Sequence, residues 1–260
     1  MNFKNKLRFP KPLAVIVAVC STLAVLLGVS GCNSENEEII NSLPYDDISL
    51  LTMNYSDLKE IKSDGFYWSS EEANLIGLRF LKLDEDGKYT LNLTYQDAME
   101  LHIHQSDFER MVSEINIAND SVARWSRDKN IVLELSNPED FIKSKLQIDK
   151  SYKIRLKSSN VEEPGERTVS VSTSGLDWGS TVFWLPTDAV IPLNVSCYSP
   201  ITFTPAFNIK VYTCGNEVIK SGVGLNGIWN TTITPACSNT NCKFSFKTSS
   251  TNGGTGTLKY

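Results

Sequence analysis

Histidine is nearly absent: His102 and His104 are the two in a chain of 260 residues. A serine or thiol nucleophile usually needs an imidazole to activate it. Neither histidine has a recognisable partner, and no Gly-x-Ser-x-Gly elbow is present. In a strand the pair would share a face, with Asp107 or Glu109 able to join a metal site. They stand instead between two helix signals without ligand spacing, which reads as surface or loop histidine. Basic charge is also short, with 25 Lys and Arg against 30 Asp and Glu and a formal net charge of −5. That balance argues against nucleic acid as a partner. Charge of either sign thins out after position 165, where four acids and six bases remain. A glycosidase needs only two carboxylates roughly 5 to 10 Å apart, so acid content leaves that chemistry open. The late segment nevertheless offers only Glu166, Asp177, Asp188 and Glu217. Gly253-Gly254-Thr255-Gly256 is no phosphate loop, because no helix and no Lys-Ser/Thr follows. No cofactor and no metal is expected.

What is present begins with a basic start, Lys4, Lys6, Arg8 and Lys11 without an acid, followed by an apolar run from Leu13 that ends at Val29-Ser30-Gly31-Cys32. This is the layout of a secretory signal. The run is broken at Ser21-Thr22 and is short for a spanning helix, which needs ~20 apolar residues. Small residues before a cysteine resemble the lipobox of bacterial lipoproteins. The resemblance implies that Cys32 is diacylglyceryl-modified, becomes the first mature residue and is N-acylated. Each buried CH₂ then contributes ~0.8 kcal/mol, and two or three chains together hold permanently. Asn33-Ser34-Glu35-Asn36-Glu37-Glu38 follows. An acidic stretch there is similar to the surface-export signal of Bacteroidota lipoproteins, which implies an outer-membrane anchor facing the cell surface; a plain hydrated tether facing the periplasm is the other reading. In the same group Asp-Ser/Thr-aliphatic triplets mark O-glycosylation, and Asp120-Ser121-Val122 matches. Loss of the leader removes four cations and no acid, so the mature chain is more acidic still.

Six cysteines are present. Cys20 leaves with the leader and Cys32 carries lipid, so Cys197, Cys214, Cys237 and Cys242 remain. An even number in an exported chain predicts two disulfides, with three possible connectivities. Cys197–Cys214 and Cys237–Cys242 are the favoured pairs, the second closing the turn Ser238-Asn239-Thr240-Asn241. Zinc is the rival, but it usually shows two close cysteine pairs.

The fold class expected is α+β. Residues 1–31 are the signal, 32–46 an acidic tether, 47–158 a small α/β domain, 159–165 a linker and 166–260 an all-β, sandwich-like domain. In the first part, Ser69-Ser70-Glu71-Glu72 opens a helix. Gly77 to Leu93 forms a hairpin around Asp84-Glu85-Asp86-Gly87, whose acids lack the further ligands of a calcium loop. Thr94-Tyr95-Gln96-Asp97 and Ser106-Asp107-Phe108-Glu109 are candidate capping boxes. After the second, Phe108, Met111, Val112, Ile115, Ala118, Val122 and Trp125 make one apolar helix face. A strand is expected at Ile131–Leu135, a helix from Asn137-Pro138, and a strand at Tyr152, Ile154 and Leu156. In the second part eight short β-prone runs recur between turn residues: 168–172, 181–185, 191–197, 208–213, 217–221, 227–234, 243–247 and 255–260.

Trp178, Trp184 and Trp229 stand among Asn, Ser and Thr in this low-charge segment. They are the candidate ligand-binding residues, through ring stacking on a sugar face, against the alternative that they are core. No catalytic residue is assigned. The function expected is a non-catalytic, lipid-anchored envelope module that binds glycan or protein. An envelope glycosidase or peptidase using paired carboxylates, an inhibitor or immunity lipoprotein, and a fimbrial subunit are the alternatives.

Overall fold

The structure is a computed structural model that describes residues 47–61, 67–155, 167–186 and 190–260, with backbone alone over 148–155. The leader, Cys32, the acidic tether and the linker 159–165 lie outside the described residues. Two short helices, α1 (Asp47–Thr52) and α2 (Tyr55–Ile61), are followed by α3 (Ser70–Leu78). Ser69 caps α3 in a reciprocal capping box with Glu72, as its sequence predicts. The hairpin is β1 (Leu81–Leu83) and β2 (Tyr89–Leu91), antiparallel with Leu83 opposite Tyr89. The Asp84 carboxylate accepts from Lys88 N at 2.8 Å, and Gly87 takes the positive φ of +80° that the turn requires. Thr94 and Asp97 form the second capping box, opening α4 (Tyr95–Glu100).

The long helix α5 (Gln105–Trp125) starts one residue before the predicted cap, because His104 and not Ser106 occupies the N-cap position. The His104 Nδ1 atom accepts from Ser106 N at 3.2 Å. Met111, Ile115, Ala118 and Val122 are buried on its inner face, while Val112 is exposed. Asn119 docks α5 on the hairpin, accepting from Tyr89 N and donating to Tyr89 O. β3 (Ile131–Leu135) follows, and then α6 (Pro138–Arg155). Asn137 Oδ1 accepts from Glu139 N and Asp140 N at the start of α6. The strand expected at Tyr152 and Ile154 is helix instead, since no Gly or Pro follows Pro138 to stop α6 before Arg155.

All eight β-prone runs of the second half become strands: β4 (Thr168–Thr173), β5 (Gly179–Leu185), β6 (Leu193–Tyr198), β7 (Ala206–Thr213), β8 (Asn216–Val223), β9 (Ile228–Ile233), β10 (Thr240–Thr248) and β11 (Gly254–Lys259). They form two facing sheets, one ordered β3-β8-β7-β10-β5 and the other β4-β11-β6-β9. Burial alternates along β5, β6 and β10, the period-two pattern of a half-buried strand. Phe207, Phe244, Phe246, Leu193 and Val195 fill the space between the sheets, and Phe207 stacks on Trp229 at 6.1 Å and 7°. Gly222 makes room for that indole, because a Cβ there would lie 2.3 Å from Trp229.

The fold class is α+β, as expected, but the two halves are one compact unit spanning Pro44–Tyr260. β3 leaves the helical half and pairs in parallel with β8, Leu133 opposite Ser221. Phe203, Val223 and Leu225 return the connection by entering the helical core. The connection between β6 and β7 is locked on α5. Glu114 accepts from Phe203 N, and Arg110 donates to Ile201 O at 3.0 Å, Asn74 Oδ1 at 2.8 Å and Asp107 at 3.0 Å. Burial raises the Glu114 carboxyl above its ordinary range, against the pull of the Phe203 amide and Arg110.

The favoured disulfide pairs do not form. Cys214 bonds Cys237, with Cα atoms 6.3 Å apart, while Cys197 and Cys242 are free and buried. Cys214 and Gly215 are the two positive-φ residues of the tight β7–β8 hairpin, which puts Cys214 at an exposed tip beside the β9–β10 connection. Cys197 and Cys242 point between the sheets, where neither meets its expected partner. Burial pushes both thiols up, so neither is a thiolate at neutral pH. The expected outcome of alkylation follows: no labelling of native protein at these four positions, and labelling of Cys197 and Cys242 alone after non-reducing denaturation. Peptide mass spectrometry reads it, and four labelled or four unlabelled cysteines contradict it.

Candidate binding cleft

The outer face of the five-stranded sheet is only partly covered. Outward positions run in register across it: Lys247 on β10, Asn208 on β7, Ser221 on β8 and Leu133 on β3 form one row. Val182, Lys243, Tyr212 and Glu217 form another, four residues away along β10, β7 and β8. The C-terminal half of α5 rises beside the first row. Between helix and sheet lies a cleft of about 550 Å³, the size of a small-ligand site. Ile117, Ser121, Arg124 and Trp125 form its helical wall. Leu176 and Trp178, from the turn between β4 and β5, form the opposite rim. Asn208, Lys247, Thr248, Ser249 and Thr251 supply polar atoms at the floor and end.

Trp178 is 42% exposed, and Lys210 Nζ lies 5.0 Å from its ring centroid, a cation–π contact that steadies the indole. Arg124 donates to Ser121 Oγ at 3.3 Å. Ser121 itself is only 3% exposed, so the Asp120-Ser121-Val122 triplet lies in a helix with its hydroxyl covered and tied. The Asn208 Oδ1 and Ser221 Oγ atoms, neighbours in the first row, are buried and have no hydrogen-bond partner among the described residues. A buried acceptor without a donor costs about 1–3 kcal/mol, and the fold carries that cost beneath the cleft floor, where the Asn208 Oδ1 atom is covered from solvent.

The three predicted tryptophans separate. Trp178 lines the cleft. Trp184 is 46% exposed on the same sheet face but stands six residues along the chain, about 20 Å in extended geometry. Trp229 is 3% exposed and stacked on Phe207 between the sheets, so it is a core residue and no ligand platform. Trp125, Arg124, Asn208 and Lys247 were not singled out by sequence reasoning as site residues. Trp125 read as the end of an apolar helix face, and nothing in a local window pairs a helix residue with a strand 80 positions later.

The cleft lining contains no Asp, Glu, His or Cys, so its serine and threonine hydroxyls have no carboxylate or imidazole base beside them there. A polar groove on the other sheet holds one carboxylate, Glu134, already engaged by Lys220 and Thr231. A depression beside the hairpin brings Asp86 and Asp120 to one rim, both exposed. Among the described residues no three His, Cys, Asp or Glu side chains converge on a metal site. His104 serves as the α5 cap, and the His102 carbonyl accepts from Trp68 N at 3.1 Å.

No family model and no curated protein matches the chain. Solved structures similar to part of it include the Yersinia pseudotuberculosis-derived mitogen, at 10% identity over 37% of this chain and 85% of that one, with a TM-score of 0.24. TmCBM61 in complex with β-1,4-galactotriose is another, at 16% identity over 38% of this chain and 82% of that one, with a TM-score of 0.23. At such scores neither likeness bears on what this cleft holds.

The division between exposed and buried tryptophan is measurable as stability. Trp229→Ala should cost about 3–5 kcal/mol, the cavity cost of a large core side chain, and Trp178→Ala about 1 kcal/mol or less, the worth of an exposed ring contact. Urea unfolding of both variants reads the difference; equal losses would place Trp178 in the core.

Proposed function

We propose that the chain is a lipid-anchored envelope protein whose folded part binds a glycan, without turning it over, in the cleft between α5 and the five-stranded sheet. One observation carries the reading. Two tryptophans and two aliphatic side chains form apolar walls around a floor and end of Asn, Lys, Ser and Thr side chains, and no carboxylate or imidazole is among the lining residues. Sugars present apolar C–H faces and polar hydroxyl edges together, and this cleft offers a surface for each.

The anchor part of the proposal rests on Val29-Ser30-Gly31-Cys32 and the acidic stretch after it. Lipid on Cys32 would hold the protein at the outer membrane, and the acidic stretch supports the outward-facing side. No described helix is long and apolar enough to cross a membrane. The exposed disulfide between Cys214 and Cys237 agrees with an oxidising compartment.

A glycan array probed with the full chain in neutral detergent should retain it on a restricted set of saccharides. Trp178→Ala should weaken that binding about tenfold or more, the scale of a central aromatic contact. On the same preparation the Cys32→Ser variant should leave the detergent phase. A folded chain retained on no saccharide removes the glycan reading, and a Cys32→Ser variant that partitions as wild type removes the anchor.

A further inference from the structure

Charge at the cleft runs opposite to charge in the chain. The net charge is −5, yet the cleft lining contains Arg124 and Lys247 and no acid. Neither cation has an acidic partner among the described residues. Lys210 and Lys243 stand in adjoining positions on the same sheet face, where Glu217 is the nearby acid and is held by Lys210 at 3.4 Å. Three of the six bases after position 165 therefore share one face. Asp177, between Leu176 and Trp178 in the chain, is not part of the lining. Asp120 faces the neighbouring depression, whose lining also includes Arg124 and Arg127, and it makes no ion pair with Arg124 among the described residues.

Resting on the glycan reading above, we propose that the saccharide bound here is acidic: an oligosaccharide carrying ring carboxylates, of the hexuronate class. Arg124 presents a planar fork of donors, and the single bond to Ser121 leaves most of them for a ligand. A guanidinium matches a carboxylate with two parallel hydrogen bonds, and Lys247 adds a second positive charge at the same cleft. The walls of Trp125, Trp178, Leu176 and Ile117 lower the local dielectric and strengthen both attractions. Ser249 and Thr251, also in the lining, offer hydroxyls to the neutral edges of the same sugar.

The test is calorimetric titration of the full chain in neutral detergent with tetragalacturonate and with its carboxyl-reduced, uncharged counterpart at low ionic strength. The acidic tetramer should bind about tenfold tighter or more, as expected for charge-assisted recognition, and should lose that margin as salt rises. In Arg124→Gln and Lys247→Gln, checked for folding by thermal melting, the margin should narrow to about threefold or less. Equal affinity for both tetramers overturns the acidic assignment and leaves the glycan reading standing. Preference for a sulfated oligosaccharide over the uronate overturns the carboxylate assignment. Failure of every saccharide, here and on the array, overturns the glycan reading and this inference with it.

Discussion

The grip of α5 on the connection between β6 and β7 holds the molecule in the shape its cleft requires. Glu114 and Arg110 project from one helix face, three and four residues apart from their neighbours, and take hold of Ile201 O and Phe203 N. Phe203 is driven into the helical core beside Gly77 and Met111. Removing either partner would leave the Phe203 amide or the Ile201 carbonyl without its hydrogen bond, a loss of about 1–3 kcal/mol. The parallel pairing of β3 with β8 adds a second tie. Together they fix α5 beside the outer face of the five-stranded sheet. Without that placement Trp125 and Trp178 would line separate surfaces, and Asn208 would face water.

This explains why the site could not be seen as a motif. Its residues come from α5, from the turn after β4, and from β7 and β10, and each has an ordinary local reason to be where it is. Trp125 continues a period of three and four. Asn208 and Lys247 are the outward residues of alternating strands. The elements themselves were far more legible. The capping pairs Ser69–Glu72 and Thr94–Asp97 declare their helices by chemistry confined to four residues, and the eight late strands show themselves by alternation between turns.

What escaped the sequence was long-range pairing. β3 reads correctly as a strand, but nothing within Ile131–Leu135 announces a parallel partner nearly 90 residues later, so the chain looked like two parts where it packs as one unit. The cysteines failed for the same reason. Their spacing suggested a short loop from Cys237 to Cys242, whereas strand alternation turns Cys242 inward and hairpin geometry turns Cys214 outward to Cys237. Tryptophan divided along the same line, with Trp229 on an inward position of β9, Trp184 on an outward position of β5 and Trp178 exposed in the turn before it.

The central claim is that the α5–sheet cleft, and not the open sheet face around Trp184, is where ligand binds. The five tryptophans allow this to be read from five indole N–H signals. During titration with an oligosaccharide that the chain retains, nuclear magnetic resonance should show the indoles of Trp125 and Trp178 shifting together, with those of Trp68 and Trp229 unmoved. Shifts confined to Trp184, or the same small shift at all five, would contradict the account.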